Sequence, residues 1–127
     1  MRYLVDTNLV TNSDQPRVRT WLLQHYLQLA ISSITVAEIA QGIEPLPQGR
    51  RRKDLEGMLE DILQDYQVSP FGVAEGRRWG QYVSSQPRPV PILDSLIAAT
   101  ALANNLEVAT ANESDFTGVQ TVNPLRA

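Results

Sequence analysis

Leu29-Ala30-Ile31-Ser32-Ser33-Ile34-Thr35-Val36-Ala37-Glu38-Ile39-Ala40-Gln41-Gly42-Ile43 changes its period midway. Leu29 to Ile34 carries no charge and no wet alternate face, its only polar residues being Ser32 and Ser33, as expected of a strand buried on both sides. From Thr35 the apolar positions Val36, Ile39, Ala40 and Ile43 recur at helical spacing, and Gly42 to Pro47 stops the helix. The same alternation runs outward in both directions. Arg2 to Val5 reads as a first buried strand ending in a loop at the turn-prone Asp6-Thr7-Asn8, and Pro16 opens a helix reaching Leu27. Downstream, a helix over about Arg50–Gln64 carries Leu55, Met58, Leu59, Ile62 and Leu63, and Tyr66 to Phe71 is extended. A further helix, Val73–Val83, turns Trp79 and Val83 inward. Pro87, Pro89 and Pro91 lead stiffly into an apolar helix from Asp94 to about Asn104, followed by strands at Leu106–Thr110 and Gln120–Val122. Apolar strands separated by helices predict one α/β domain over 1–127, built on a parallel sheet covered on both faces.

Composition removes several kinds of chemistry. The 127 residues contain no cysteine and one histidine, His25. Disulfide scaffolds, thiolate zinc sites, iron–sulfur clusters, cysteine nucleophiles and two-histidine metal sites are therefore excluded. Fourteen acids against eleven bases leave a net charge of -3, so no global positive field holds nucleic acid. No run approaches the ~20 apolar residues that cross a bilayer, and the first residues do not read as a secretion signal. The expectation is a cytoplasmic protein without membrane attachment.

In a parallel sheet, ligands gather beyond the carboxyl ends of the strands. Four acids fall there: Asp6 after the first strand, Glu38 in the first turn of the helix after the second, Asp94 opening the apolar helix, and Asp115 after Val108-Ala109-Thr110. Each has an ordinary structural use. Asp6 and Asp94 suit caps, Asp115 suits a loop, and Thr35-x-x-Glu38 has the form of a capping box. Gathered at one edge they repel, at about 4 kcal/mol per pair ~4 Å apart at an effective dielectric of ~20. Protons or a cation must relieve that, and an all-oxygen set suits Mg2+ or Mn2+. Metal-assisted phosphodiester hydrolysis is the natural output.

Four segments, in order, resemble the PIN-domain ribonucleases, specifically the VapC/FitB-like toxins of type II toxin–antitoxin pairs. They are Tyr3-Leu4-Val5-Asp6-Thr7-Asn8, Ile34-Thr35-Val36-Ala37-Glu38-Ile39-Ala40-Gln41-Gly42, Pro91-Ile92-Leu93-Asp94-Ser95-Leu96-Ile97-Ala98-Ala99-Thr100-Ala101, and Val108-Ala109-Thr110-Ala111-Asn112-Glu113-Ser114-Asp115-Phe116. The resemblance implies a three-layer α/β/α sandwich with a parallel sheet of about four or five strands. It implies a Mg2+-dependent (or Mn2+-dependent) endoribonuclease that acts on RNA, forms a homodimer, is inhibited by a cognate antitoxin, and meets DNA only through that antitoxin. It assigns Asp6, Glu38, Asp94 and Asp115 to the metal, with Glu38 either ligand or general base, and Asn8, Thr110 and Asn112 to orienting them. Two features depart from the family: Ala111 stands where arginine is usual, and the stretch from Asp6 to Trp21 is about one helical turn short. Ala111 keeps open an alternative, a weakly active or inactive subunit of an antitoxin-led DNA-binding autorepressor.

Other residues carry weaker signals. Arg50, Arg51 and Arg52 can grip RNA phosphates or simply open a solvated helix beside Asp54, Glu56 and Glu60; Arg77, Arg78 and Arg88 are further candidates. Trp21 and Trp79, at helical spacing from apolar neighbours, suit core or dimer contacts. His25 has no acid at ligand spacing and receives no catalytic role. A receiver-type acidic pocket would need a lysine opposite, and the only lysine, Lys53, lies in the basic run.

Overall fold

A computed structural model describes residues 1–127. Five strands, β1 (Tyr3–Val5), β2 (Leu29–Ser32), β3 (Gln67–Ser69), β4 (Glu107–Ala109) and β5 (Thr121–Val122), form one sheet. All neighbours are parallel, in the order β3-β2-β1-β4-β5. The helices are α1 (Thr7–Thr11), α2 (Pro16–His25), α3 (Ser33–Ile43), α4 (Arg50–Asp65), α5 (Val73–Ser85) and α6 (Ile92–Ala103), with 3-10 turns at Tyr26–Gln28 and Glu113–Phe116. No helix is long and apolar enough to cross a membrane.

Strand residues alternate between two cores, as a period of two requires. Tyr3, Val5, Leu29, Ile31 and Ala109 face one side and pack with Val18, Trp21 and Leu22 of α2, Ile39 and Ile43 of α3, and Ile62 of α4. Leu4, Ala30 and Val108 face the other side, against Tyr82 of α5 and Ile97, Ala98 and Ala101 of α6. Burying one such isoleucine contributes about 2 kcal/mol. The fully buried alanines of α6 let that helix lie close on the sheet. The three layers and the parallel sheet match the sequence-based expectation.

Several boundaries differ from that expectation for local reasons. The segment after β1 is not a loop: Thr7–Thr11 forms a single short helix. The second strand stops at Ser32, because the Ser32 hydroxyl accepts from the Ile34 amide at 3.0 Å and caps α3, which draws Ile34 into the helix. Thr35 therefore lies inside α3, and the expected Thr35–Glu38 capping box does not form. On α5 the buried anchor is Tyr82, whose hydroxyl donates to the Thr117 carbonyl at 2.8 Å, while Val83 is exposed. Ala40 likewise faces outward. At the end of α6, Asn105 takes a positive φ of 55° and the Leu106 amide reaches back to the Ala101 carbonyl. That is the left-handed helix stop which asparagine tolerates.

Strand order positions the site. The chain moves from β1 to β2 and β3 on one side, then returns to β4 and β5 on the other. The carboxyl ends of β1 and β4 therefore flank a switch in connection direction, where an open α/β sheet offers a crevice.

Candidate active site

Asp6 is the first residue past β1 and is only 5% exposed. Its Oδ2 accepts from the Thr110 hydroxyl, just past β4, at 2.9 Å. Thr110 is itself fully buried and accepts from the Asn112 amide at 3.0 Å, so its single proton is committed to Asp6. Burial pushes the Asp6 carboxyl up from its ordinary value; Thr110 and the Thr7 amide oppose this, and the charges of Glu38 and Asp115 add to it.

Asp94 lies in the first turn of α6, half-buried, with Pro91 rather than Asp94 at the cap position. Its carboxyl is pushed up to about 6 by burial first, then by the charges of Asp6 and Asp115. No donor in the protein offsets these effects. The turn that carries it is pinned from behind: Ser95 Oγ donates to the Ile92 carbonyl at 2.6 Å and accepts from Trp79 Nε1 at 2.9 Å. Asp115 sits half-buried in the turn Glu113–Phe116. Glu38 lies in the second turn of α3, not the first, and its Oε1 accepts from the Thr7 hydroxyl at 2.9 Å.

The charges of Glu38 and Asp115 thus reach Asp6, and those of Asp6 and Asp115 reach Asp94. No group of three or more acid or histidine side chains closes around a point well enough to hold a metal ion alone. The donor chemistry nevertheless fits Mg2+ or Mn2+. Every donor is a carboxylate oxygen, Asp94 has no donor to relieve its charge while Asp6 is relieved only in part by Thr110 and the Thr7 amide, and Mg2+ typically takes one or two carboxylates and keeps several waters.

The helper residues fare differently. Thr110 contacts Asp6 as expected. Asn112 acts only through its backbone, its amide donating to Thr110 and its carbonyl accepting from the Asp115 amide at 3.1 Å, and Asn8 is exposed, its carbonyl occupied by Thr11 and Asn12 and its side chain making no hydrogen bond to an acid. Thr7 was not anticipated, although it follows Asp6 directly. Arg52 is drawn inward: its Nη1 donates to the carbonyls of Glu44 and Leu46 at 3.0 and 2.8 Å, and it pairs with Glu44 and Glu56. It ties the loop before α4 and has little left for a phosphate, whereas Arg50 and Arg51 are exposed. Trp21 is core. His25 stacks on it at 4.3 Å with Nδ1 2.8 Å from the Trp21 carbonyl, a packing role.

An α/β sheet with coupled acids past β1, in α3, at the start of α6 and past β4 defines an acidic-centre class suited to a hard cation. Residues 3–120 match the sequence profile of the PIN domain, and the chain belongs to that family. It is 30% identical to Toxin FitB of Neisseria gonorrhoeae over 124 residues, 89% of each chain. It is 26% identical to Ribonuclease VapC1 of Rickettsia felis over 123 residues, 94% of this chain and 92% of the relative. The crystal structure of FitAcB from Neisseria gonorrhoeae superposes with a TM-score of 0.85 at 30% identity, covering 98% of this chain and 99% of that one.

Proposed function

We propose that this chain is a divalent-metal-dependent endoribonuclease, the toxin of a type II toxin–antitoxin pair acting in the cytoplasm. The observation that carries the reading is Asp94: a carboxyl raised to about 6 beside Asp6 and Asp115, with no donor to relieve it. A fold that keeps such an arrangement forgoes stability at that point, as functional sites do. Relatives named as ribonucleases and as a toxin support the same reading.

Asp6, Asp94 and Asp115 would hold Mg2+ or Mn2+, with Glu38 as a further ligand or a general base. When bound, the ion supplies a deprotonated water and offsets negative charge on a phosphodiester oxygen. The protein's own part is orientation. Thr110 holds Asp6, the Trp79–Ser95–Ile92 chain holds the turn bearing Asp94, and the half-exposure of Asp94 and Asp115 leaves them open to a strand of RNA. Arg50, Arg51 and Arg77, all exposed, supply phosphate contacts.

The antitoxin is assigned to a groove of about 710 Å3 between α2 and α4, lined by Leu22, Leu23, Tyr26, Met58, Ile62 and Tyr66. Leu23 and Tyr26 stand more than half exposed, and the charged lining is three acids, Asp14, Asp61 and Asp65, against one base, Arg19. An amphipathic helix with basic flanks fits that surface. Solved complexes of relatives include FitAB bound to a DNA fragment, which supports an antitoxin-borne DNA contact; a homodimeric toxin is part of the same proposal.

The test is cleavage of RNA by metal-stripped protein after Mg2+ or Mn2+ is added back. Asp6→Asn and Asp94→Asn should each lose about 100-fold or more; retained cleavage in both refutes the reading. The second reading, a weakly active subunit in a DNA-binding autorepressor, rests on Ala111, which is half-buried against the α2–α4 core. Cleavage that appears only in Ala111→Arg would favour it.

A further inference from the structure

Threonines inside helices can turn their hydroxyl back to the carbonyl one turn earlier. Two in this chain do so: Thr11 Oγ1 donates to the Thr7 carbonyl at 3.1 Å and Thr100 Oγ1 to the Leu96 carbonyl at 2.8 Å. Thr35 does not. It is fully buried in the first turn of α3, and its Oγ1 lies 2.9 Å from Thr7 Oγ1, across the gap between α3 and α1. Thr7 Oγ1 in turn lies 2.9 Å from Glu38 Oε1, one turn along α3 from Thr35.

Proton counting sets the direction of this chain. An ionised carboxylate only accepts, so the single proton of Thr7 goes to Glu38. At the Thr7–Thr35 contact Thr7 must then accept, and the single proton of Thr35 must be the one donated. Were the Thr35 proton directed elsewhere, the Thr35 oxygen would become an acceptor that competes with Glu38 for the single proton of Thr7. The Thr7–Thr35 contact is buried, Thr7 being 8% exposed and Thr35 fully buried, whereas Glu38 is half-exposed. Glu38 Oε1 is occupied, and no group in the protein occupies Oε2.

We propose that Thr35 and Thr7 are positioning residues for Glu38: a one-way hydroxyl chain, from Thr35 to Thr7 to Glu38, fixes Oε1 and leaves Oε2 for the acidic centre. The proposal rests on the nuclease reading above. It mirrors the Thr110–Asp6 contact, but with a second hydroxyl setting the polarity of the first. It also ties α1 to α3, so two of the four acids are placed relative to one another through a side-chain link rather than through the sheet alone.

The test compares Thr7→Val, Thr35→Val, Thr7→Ser, Thr35→Ser and the double valine variant in the full chain. Mn2+ binding to metal-stripped protein, kcat and KM for RNA, and the melting temperature are read in parallel. Thr7→Val should lower kcat and weaken Mn2+ binding by about 10-fold, with KM unchanged within about twofold. Thr35→Val, one hydrogen bond further out, should lose about 5-fold, and both serine variants should stay within about twofold of wild type. In the Thr7→Val background, Thr35→Val should add almost nothing, since its only route to Glu38 is already cut. Serine variants as impaired as the valines, a fully additive double variant, or a folded Thr35→Val equal to wild type would overturn the proposal. If the valine variants fail to fold, Thr7→Ala and Thr35→Ala, which also remove the hydroxyl, take their place, with the same losses expected and wild-type Mn2+ binding and kcat in both overturning the proposal. Wild-type protein that neither binds Mn2+ nor cleaves RNA would instead overturn the nuclease reading, and this proposal with it.

Discussion

Replacing Asp94 by asparagine should make the metal-free protein more stable while removing its activity. The folded carboxyl titrates at about 6 against an ordinary 3.8, so the folded state holds the proton more tightly than the unfolded one. Below pH 3.8 both states are protonated and Asp94 costs nothing. As pH rises from there the unfolded state gains by ionising, and above about 6 the penalty is fully present. The shift corresponds to about 3 kcal/mol at most. Asp94 is half-exposed, and solvent screening reduces this to about 1 kcal/mol. Asparagine keeps the shape and removes the charge, so at pH 7.5 in a chelator the variant should melt about 4 °C higher for a domain of this length. Near pH 4 the increment should largely disappear. Calorimetry of both proteins in chelator at the two pH values checks this, and adding Mg2+ should raise the wild-type melting temperature more than the variant's. An increment that is equal at both pH values, or a variant destabilised at pH 7.5, would refute the reasoning.

Two further outcomes follow from contacts around the site. Thr110→Val removes the donor to Asp6 and strands the Asn112 amide; urea denaturation should show a loss of about 2 kcal/mol, with cleavage reduced at least 10-fold. Arg52→Ala should lower stability by about 1–2 kcal/mol through the lost carbonyl contacts at Glu44 and Leu46, without weakening RNA binding. Arg51→Ala should leave stability within about 0.5 kcal/mol and weaken RNA binding instead, as measured by equilibrium titration at two salt concentrations.

What the sequence made legible follows from the range over which each signal acts. Continuous apolar runs such as Leu29–Ile31 and Val108–Ala109 announce strands covered on both faces, and the structure buries them there. The four acids were visible because each directly follows a strand or lies near a helix start within a recognisable segment. The helix Thr7–Thr11 was not, since five residues are too few to display a period and too few to be stable alone. Tyr82 was missed in favour of Val83 because residue polarity hides a phenol whose hydroxyl finds the Thr117 carbonyl. Arg52 belongs to a basic run that reads as solvated; nothing local reveals that the carbonyls of Glu44 and Leu46 turn back onto it. Thr7 and Thr35 lie 28 residues apart in sequence, so their contact exists only once α1 meets α3.

On the reading proposed above, the coupled acids at the carboxyl edge of the sheet form one metal centre. Mn2+ titration of the metal-stripped protein, followed by electron paramagnetic resonance of the free ion, tests it most directly. Wild type should bind Mn2+ saturably and both Asp6→Asn and Asp94→Asn should lose that binding; unchanged binding in the two variants would rule out a shared metal centre.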